Sequence, residues 1–205
     1  MADTKISALS AVSPLALTHE IALNAAGTSK KATIGQVRSL LGSFSFLGSA
    51  TAGSSVASIT VTLPSGSWTF LRGYVYISGY SASGIAGIQF NSDTGNNYSD
   101  RIQVSTSVTN TTGTARASVR VATDSITGKR GLVNFDIRKH TTGEMASIVG
   151  QSNSTNVASA TAPLLMAWAG TWNNTASLIT SVTLTGNGVN LLTDTYMAIF
   201  GTESV

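Results

Sequence analysis

Cysteine is absent from the 205 residues, histidine appears twice and proline three times. Without thiols there are no disulfides, no Cys-based zinc sites, no iron–sulfur clusters and no cysteine nucleophile. Two histidines cannot supply the three or four clustered ligands of a His-based zinc site. The compartment stays open on this ground, since a thiol-free chain is indifferent to redox state. Charge is scarce as well: 12 Lys and Arg against 9 Asp and Glu, a net +3, with 10% of residues charged. Nucleic-acid binding rests on clustered cations that release counterions on contact. Here only Lys30-Lys31, Lys129-Arg130 and Arg138-Lys139 are adjacent, each among neutral residues, which argues against a nucleic-acid partner. No stretch approaches the roughly 18 apolar residues of a membrane span. The opening Met1-Ala2-Asp3-Thr4-Lys5-Ile6-Ser7 has neither the cationic start nor the apolar core of a signal peptide. The expectation is a chain made in a cytoplasm and soluble there. The N-x-S/T sequons at Asn97, Asn110, Asn153 and Asn173 carry little meaning without secretion.

What is abundant is hydroxyl: 29 Ser and 28 Thr, 57 of 205 residues, with 42% apolar residues and 20 Gly. High hydrophobicity with low net charge excludes a disordered chain. The composition suits strands and lacks the Ala, Leu, Glu and Lys excess of a helical protein.

Two regions differ in character. Residues 1–42 carry Lys5, Lys30, Lys31 and Arg38 and a helix signal. Thr33-Ile34-Gly35-Gln36 has capping-box spacing, Ile34, Val37, Leu40 and Leu41 fall on one helical face, and Gly42 ends the run. Glu20–Asn24 and Lys30–Thr33 flank Ala26-Gly27-Thr28, which predicts a small hairpin before that helix.

From Phe44 onward the period is two. Ile59, Val61 and Leu63 alternate with Ser58, Thr60 and Thr62, and in Trp68–Ile77 Val75 and Ile77 oppose Tyr74 and Tyr76. Further strands are predicted over Ile85–Asn91, Arg101–Ser105, Ala115–Ala122, Gly131–Arg138, Leu164–Thr171, Leu178–Leu184 and Tyr196–Gly201. Residues 150–162 read as a loop long enough for a surface arm. Eight to ten strands at this spacing predict a mainly β protein, an antiparallel β-sandwich or jelly roll over residues 43–205. The absence of long intervening helical patterns excludes a parallel α/β sheet. Leu132-Val133 and Leu164-Leu165-Met166 are apolar on both faces, which calls for a covering layer or, as favoured here, a second copy of the chain.

Catalytic constellations are thin. No G-x-S-x-G elbow accompanies His140, which follows Arg138-Lys139 at a strand end, and His19 lies beside Glu20 in the small N-terminal region. Asp93, Asp100, Asp124, Asp136 and Glu144 could pair as glycosidase carboxylates but fall mostly in predicted turns or at strand ends. The chain is therefore expected not to be an enzyme and to need no cofactor. Asn91, Asp93 and Asn97, with Asp100 nearby, could offer oxygens to calcium, but an Asx-rich turn accounts for them better. For carbohydrate, the aromatic to weigh is Trp172, at a strand end beside Asn173 and Asn174; Trp68 and Trp168 sit in apolar strand patterns and belong to the core.

Segments in both regions carry a family resemblance. Ala2-Asp3-Thr4-Lys5-Ile6-Ser7-Ala8-Leu9, Leu17-Thr18-His19-Glu20 and Gly27–Thr33 through Gln36-Val37-Arg38 resemble the opening segment of tailed-bacteriophage virion proteins of the fibre, appendage and head-decoration type. Phe90-Asn91-Ser92-Asp93-Thr94-Gly95-Asn96-Asn97-Tyr98 resembles the F-N-G-D-T-G-x-N-Y stretch of phage jelly-roll modules, with Ser92 in place of the glycine. Ile179–Leu184 and Met197–Gly201 resemble the end of the same modules. The resemblance implies a virion-exterior structural protein, a homotrimer that docks on the major capsid protein or another virion protein. The docking residues it implies are Lys30, Lys31, Ile34, Val37, Leu40 and Leu41. The alternative is a tip protein that recognises a host surface glycan through Trp172, Asn173 and Asn174.

Overall fold

A computed structural model describes residues 20–25, 28–33, 44–66, 68–104, 111–122, 129–138, 142–156 and 162–203. The chain divides into two compact units, Met1–Ser43 with Val205, and Phe44–Ser204. In the first, β1 (Glu20–Ala25) and β2 (Thr28–Thr33) pair antiparallel, Ala25 opposite Thr28 and Glu20 opposite Thr33. The predicted helix face, Ile34, Val37, Leu40 and Leu41, lies outside the described residues, as do His19, His140 and Asp124.

The second unit is a β-sandwich. Its strands are β3 (Ser45–Thr51), β4 (Ser58–Thr62), β5 (Trp68–Ile77), β6 (Ala86–Phe90), β7 (Tyr98–Val104) and β8 (Thr111–Arg116). They continue with β9 (Val119–Ala122), β10 (Lys129–Arg138), β11 (Ala146–Asn156), β12 (Leu164–Trp172), β13 (Ser181–Thr185) and β14 (Tyr196–Glu203). An eight-stranded sheet runs β3-β14-β5-β10-β11-β12-β7-β8, and a four-stranded sheet runs β4-β13-β6-β9. All pairings are antiparallel, and no helix occurs among the described residues.

Period-two patterning explains which faces meet. Along β4, Ile59 and Val61 turn inward and Ser58, Thr60 and Thr62 outward. Along β5, Leu71, Val75 and Ile77 are buried while Tyr74 is exposed. One inner row of the large sheet interlocks large and absent side chains: Gly73, Phe135, Gly150 and Trp168 stand opposite one another on β5, β10, β11 and β12. The Phe135 ring occupies the space a Cβ on Gly73 would need, and Trp168 does the same at Gly150. Two wide aromatic rings, on β10 and β12, thereby meet across Gly150 of the intervening β11, their centroids 6.2 Å apart.

Three expectations are corrected. Residues 150–156, predicted as loop, belong to β11, which is laddered to β10 on one side and β12 on the other. Its inner positions are Ser152 and Ser154, buried yet polar, and its outer ones are Gln151 and Asn153, so the sequence shows no hydrophobic alternation there. Ala115–Ala122 is two strands: the chain passes Ala115 at φ 51° and leaves the large sheet as β8 to enter the small one as β9. Leu178–Thr180 is not strand; the Thr180 amide donates to Asn91 Oδ1 at 2.7 Å instead.

Candidate functional site

The loop after β6 shows why the Asn/Asp-rich stretch is there. Asn91 and Ser92 both take left-handed φ values, 54° and 56°, and the Asp93 amide closes the turn on the Phe90 carbonyl at 2.9 Å. Ser92 is the position at which the phage-module resemblance leads one to expect glycine, the residue with no steric cost in that conformation. Asp93 Oδ1 accepts the Gly95 amide at 2.9 Å, and Asn97 Nδ2 donates to Oδ2 at 3.0 Å. Asn91 Oδ1 accepts the Thr180 and Ser181 amides, which fastens the loop to the entry of β13. Asn91 Oδ1 and the Asp93 carboxylate, weighed above as calcium ligands, thus serve as acceptors for their own surroundings, with Asn97 as a donor, the Asx-turn arrangement.

Trp172 belongs to this loop's support, which corrects its expected place at the surface. The side chain is fully buried at the end of β12, ring planes 17° from Tyr98 and 5.4 Å from the Phe90 centroid. Its indole Nε1 donates to Asp93 Oδ2 at 2.7 Å. No face of the indole is left for a sugar. Asn173 is exposed, while Asn174 Oδ1 caps the Ala176 and Ser177 amides at 3.0 and 3.1 Å. Partial burial works against the Asp93 charge, but the bonds from Trp172, Asn97 and Gly95 outweigh it and hold the carboxyl below its ordinary value. Burial pushes the Tyr98 phenol up; its oxygen accepts the Phe90 amide at 2.8 Å.

The other carboxylates weighed as catalytic are far from one another in role. Asp100 is buried on the inner side of β7, where Arg120 of β9 donates through Nη2 at 2.6 Å and Nε at 2.9 Å, and Arg116 Nε lies 3.4 Å away. This ion cluster ties the two sheets together. Asp136, on the outer side of β10, takes Arg72 Nε at 2.6 Å and Nη2 at 3.0 Å. The Phe44 ring lies 4.8 Å from the same guanidinium. Glu144 is exposed. Among the described residues no three His, Asp or Glu side chains gather as a metal site would need.

The outer side of the large sheet is the face that remains open. Register places Tyr196, Tyr76, Leu132, Asn153 and Leu165 side by side on β14, β5, β10, β11 and β12. Leu132 and Leu165 are 57% and 58% exposed while Val133 and Met166 are buried, so their strands do carry apolar residues on both faces. Beside this row, a depression of about 610 Å3 opens between Arg72 and Tyr74 on β5 and Arg101 and Gln103 on β7. Sequence reasoning reached the apolar row through the two-faced strands. It missed the depression, because Gln103, Asn134 and Gln151 become neighbours only through cross-strand pairing.

Of the docking residues, Lys31 is exposed on β2 opposite Ala22, and Lys30 stands opposite Leu23. Ile34, Val37, Leu40 and Leu41 lie outside the described residues. No protein family, curated protein or solved structure matches the chain.

Proposed function

We propose that the chain is a structural protein of the exterior of a tailed-phage virion, a capsid decoration (cement) or short fibre protein. It assembles with copies of itself as a homotrimer and docks on the major capsid protein or another virion protein through residues 1–42. The strand order supports the jelly-roll reading. The rows β3-β14-β5-β10 and β4-β13-β6-β9 face each other, with successive strands crossing between sheets as two Greek keys require. On that reading, the hairpins β7–β8 and β11–β12 are insertions that widen one sheet.

The observation that carries self-assembly is the row of Tyr196, Leu132 and Leu165, large apolar side chains exposed together in a chain with 10% charged residues. Large apolar side chains exposed together on one face, here with Asn153 between Leu132 and Leu165, mark interfaces, and permanent ones most of all. The virion assignment draws on the resemblance of the opening segment and of Phe90–Tyr98.

Light scattering of the full-length protein at two concentrations tests assembly. The expected molar mass is three times the monomer's at both, falling to one in the double variant Leu132→Asp, Leu165→Asp. A monomeric wild type overturns the assembly. Removal of residues 1–42 should leave the trimer and end its incorporation into particles; a truncated protein that still incorporates overturns the docking role.

A further inference from the structure

The depression on the outer face lies where β11, β12 and β7 extend the large sheet beyond β10. Its floor is small, Ala167 and Ala169 of β12, and its walls are long side chains on β5 and β7. At about 610 Å3 it falls within the range of small-molecule sites. One row crosses it at right angles to the strands: Tyr74 opposite Asn134, Asn134 opposite Gln151, Gln151 opposite Ala167, Ala167 opposite Gln103. Four steps of about 4.8 Å make this row roughly 19 Å long.

The chemistry of that row is specific. Asn134, Gln151 and Gln103 are exposed, and their carboxamides have no side-chain partner among the described residues. A carboxamide offers a carbonyl acceptor beside two N–H donors. Neighbouring sugar hydroxyls, each both donor and acceptor, match that pair. Tyr74 stands half-exposed, its ring held edge-on against Phe200 with centroids 5.9 Å apart, and so offers a fixed apolar face for a pyranose ring. Charge selects further. Arg72 is neutralised by Asp136 at 2.6 Å, whereas Arg101 on the opposite wall is exposed and has no carboxylate partner among the described residues. The depression therefore carries one uncompensated cation. A second copy of the chain is a poor source of the matching anion, with 9 Asp and Glu in 205 residues. Of the exposed apolar residues that suit a second copy, Leu132 and Leu165 lie in the adjacent row, and Val149 lines the depression itself.

We propose that this depression binds an acidic oligosaccharide laid across the strands, with Tyr74 under one sugar ring, Asn134, Gln151 and Gln103 on hydroxyls, and Arg101 on a carboxylate or sulfate. This goes beyond a role in assembly and requires that associating copies leave the depression open.

The test is binding of the full-length protein to immobilised oligogalacturonate, chondroitin sulfate fragments and sialylated oligosaccharides, with malto-oligosaccharides as the neutral control. Retention of an acidic member with a Kd below about 1 mM is expected. Tyr74→Ala and Gln151→Ala should each weaken binding about tenfold or more, one lost stacking face or hydrogen-bond set apiece. Arg101→Ala should remove the preference for acidic over neutral sugar, and molar mass and unfolding midpoint should stay as in the wild type. No acidic member retained, or retention indifferent to all three substitutions, overturns the site. A fall in molar mass in Gln151→Ala also overturns it, since the face would then lie under a second copy.

Discussion

The Trp172 indole N–H donates to Asp93 Oδ2 at 2.7 Å across 79 residues of sequence, tying the end of β12 to the loop that follows β6. That single bond joins a strand of the large sheet to a loop of the small one. It settles both the tryptophan's burial and the loop's shape, because Asp93 also holds Gly95 and Asn97.

Trp172→Phe keeps most of the buried ring and removes the donor. A loss of about 1.5–3 kcal/mol is expected from the lost hydrogen bond to a charged acceptor, although Asp93 Oδ2 keeps its bond from Asn97. Trp172→Ala should cost about 3–5 kcal/mol, since a fully buried ring is removed. Urea unfolding measures both; an unchanged midpoint in Trp172→Phe would mean that the bond contributes nothing.

Asp93 also predicts a pH dependence. Its carboxyl is held below the ordinary 3.8, so near that value the folded state binds fewer protons than the unfolded one. Stability from this group is fully present above the ordinary carboxylate value and is lost as pH falls through the lower folded-state value. Unfolding free energy followed against pH should show wild type and Asp93→Asn furthest apart near neutrality and converging at the acid end. A gap that widens on acidification would contradict the sign.

Asp100→Asn should be among the most damaging single substitutions. It leaves the Arg120 guanidinium, 13% exposed, without its carboxylate and cuts the link between β7 and β9. Breaking a buried pair by removing one partner costs about 3–5 kcal/mol. A loss under about 1 kcal/mol would mean that water replaces the carboxylate.

Gly150→Ala should destabilise by about 1–3 kcal/mol through overpacking. The added methyl would stand 2.5 Å from the Asn134 carbonyl oxygen and 2.6 Å from Trp168 Cη2. Backbone and a wedged indole have little room to give. Tryptophan fluorescence during denaturation reads out both the shift of Trp168 and the lower midpoint.

Ser92→Gly should stabilise, by about 0.5–1 kcal/mol. Relief of a left-handed φ of 56° outweighs the extra freedom glycine gives the unfolded chain. A thermal melt that rises by a few degrees supports this; a fall would mean that the serine hydroxyl holds the turn.

Much of the sandwich was legible. Trp68–Ile77 is the predicted strand to the residue, and Gly131–Arg138, Leu164–Thr171 and Tyr196–Gly201 differ from β10, β12 and β14 only at their ends. β11 was not, because Ser152 and Ser154 fill inner positions with hydroxyls and remove the apolar alternation. Trp172 was misplaced for a related reason: Trp-Asn-Asn after a strand looks like a rim, and its burial depends on Phe90, Asp93 and Tyr98 far upstream.

By itself the sequence determined that the body is β, which residues turn inward along the strands that alternate apolar and polar, and how little charge the chain carries. Those properties are local, since the pleat sends successive side chains to opposite faces whatever lies beside them. Only the tertiary structure decided which strands are neighbours. It set Asp100 against Arg120, Trp168 over Gly150, and Tyr74, Asn134, Gln151 and Gln103 in one row. The physical reason is that cross-strand pairing joins residues far apart in the chain, and no period along a strand records which strand will stand beside it.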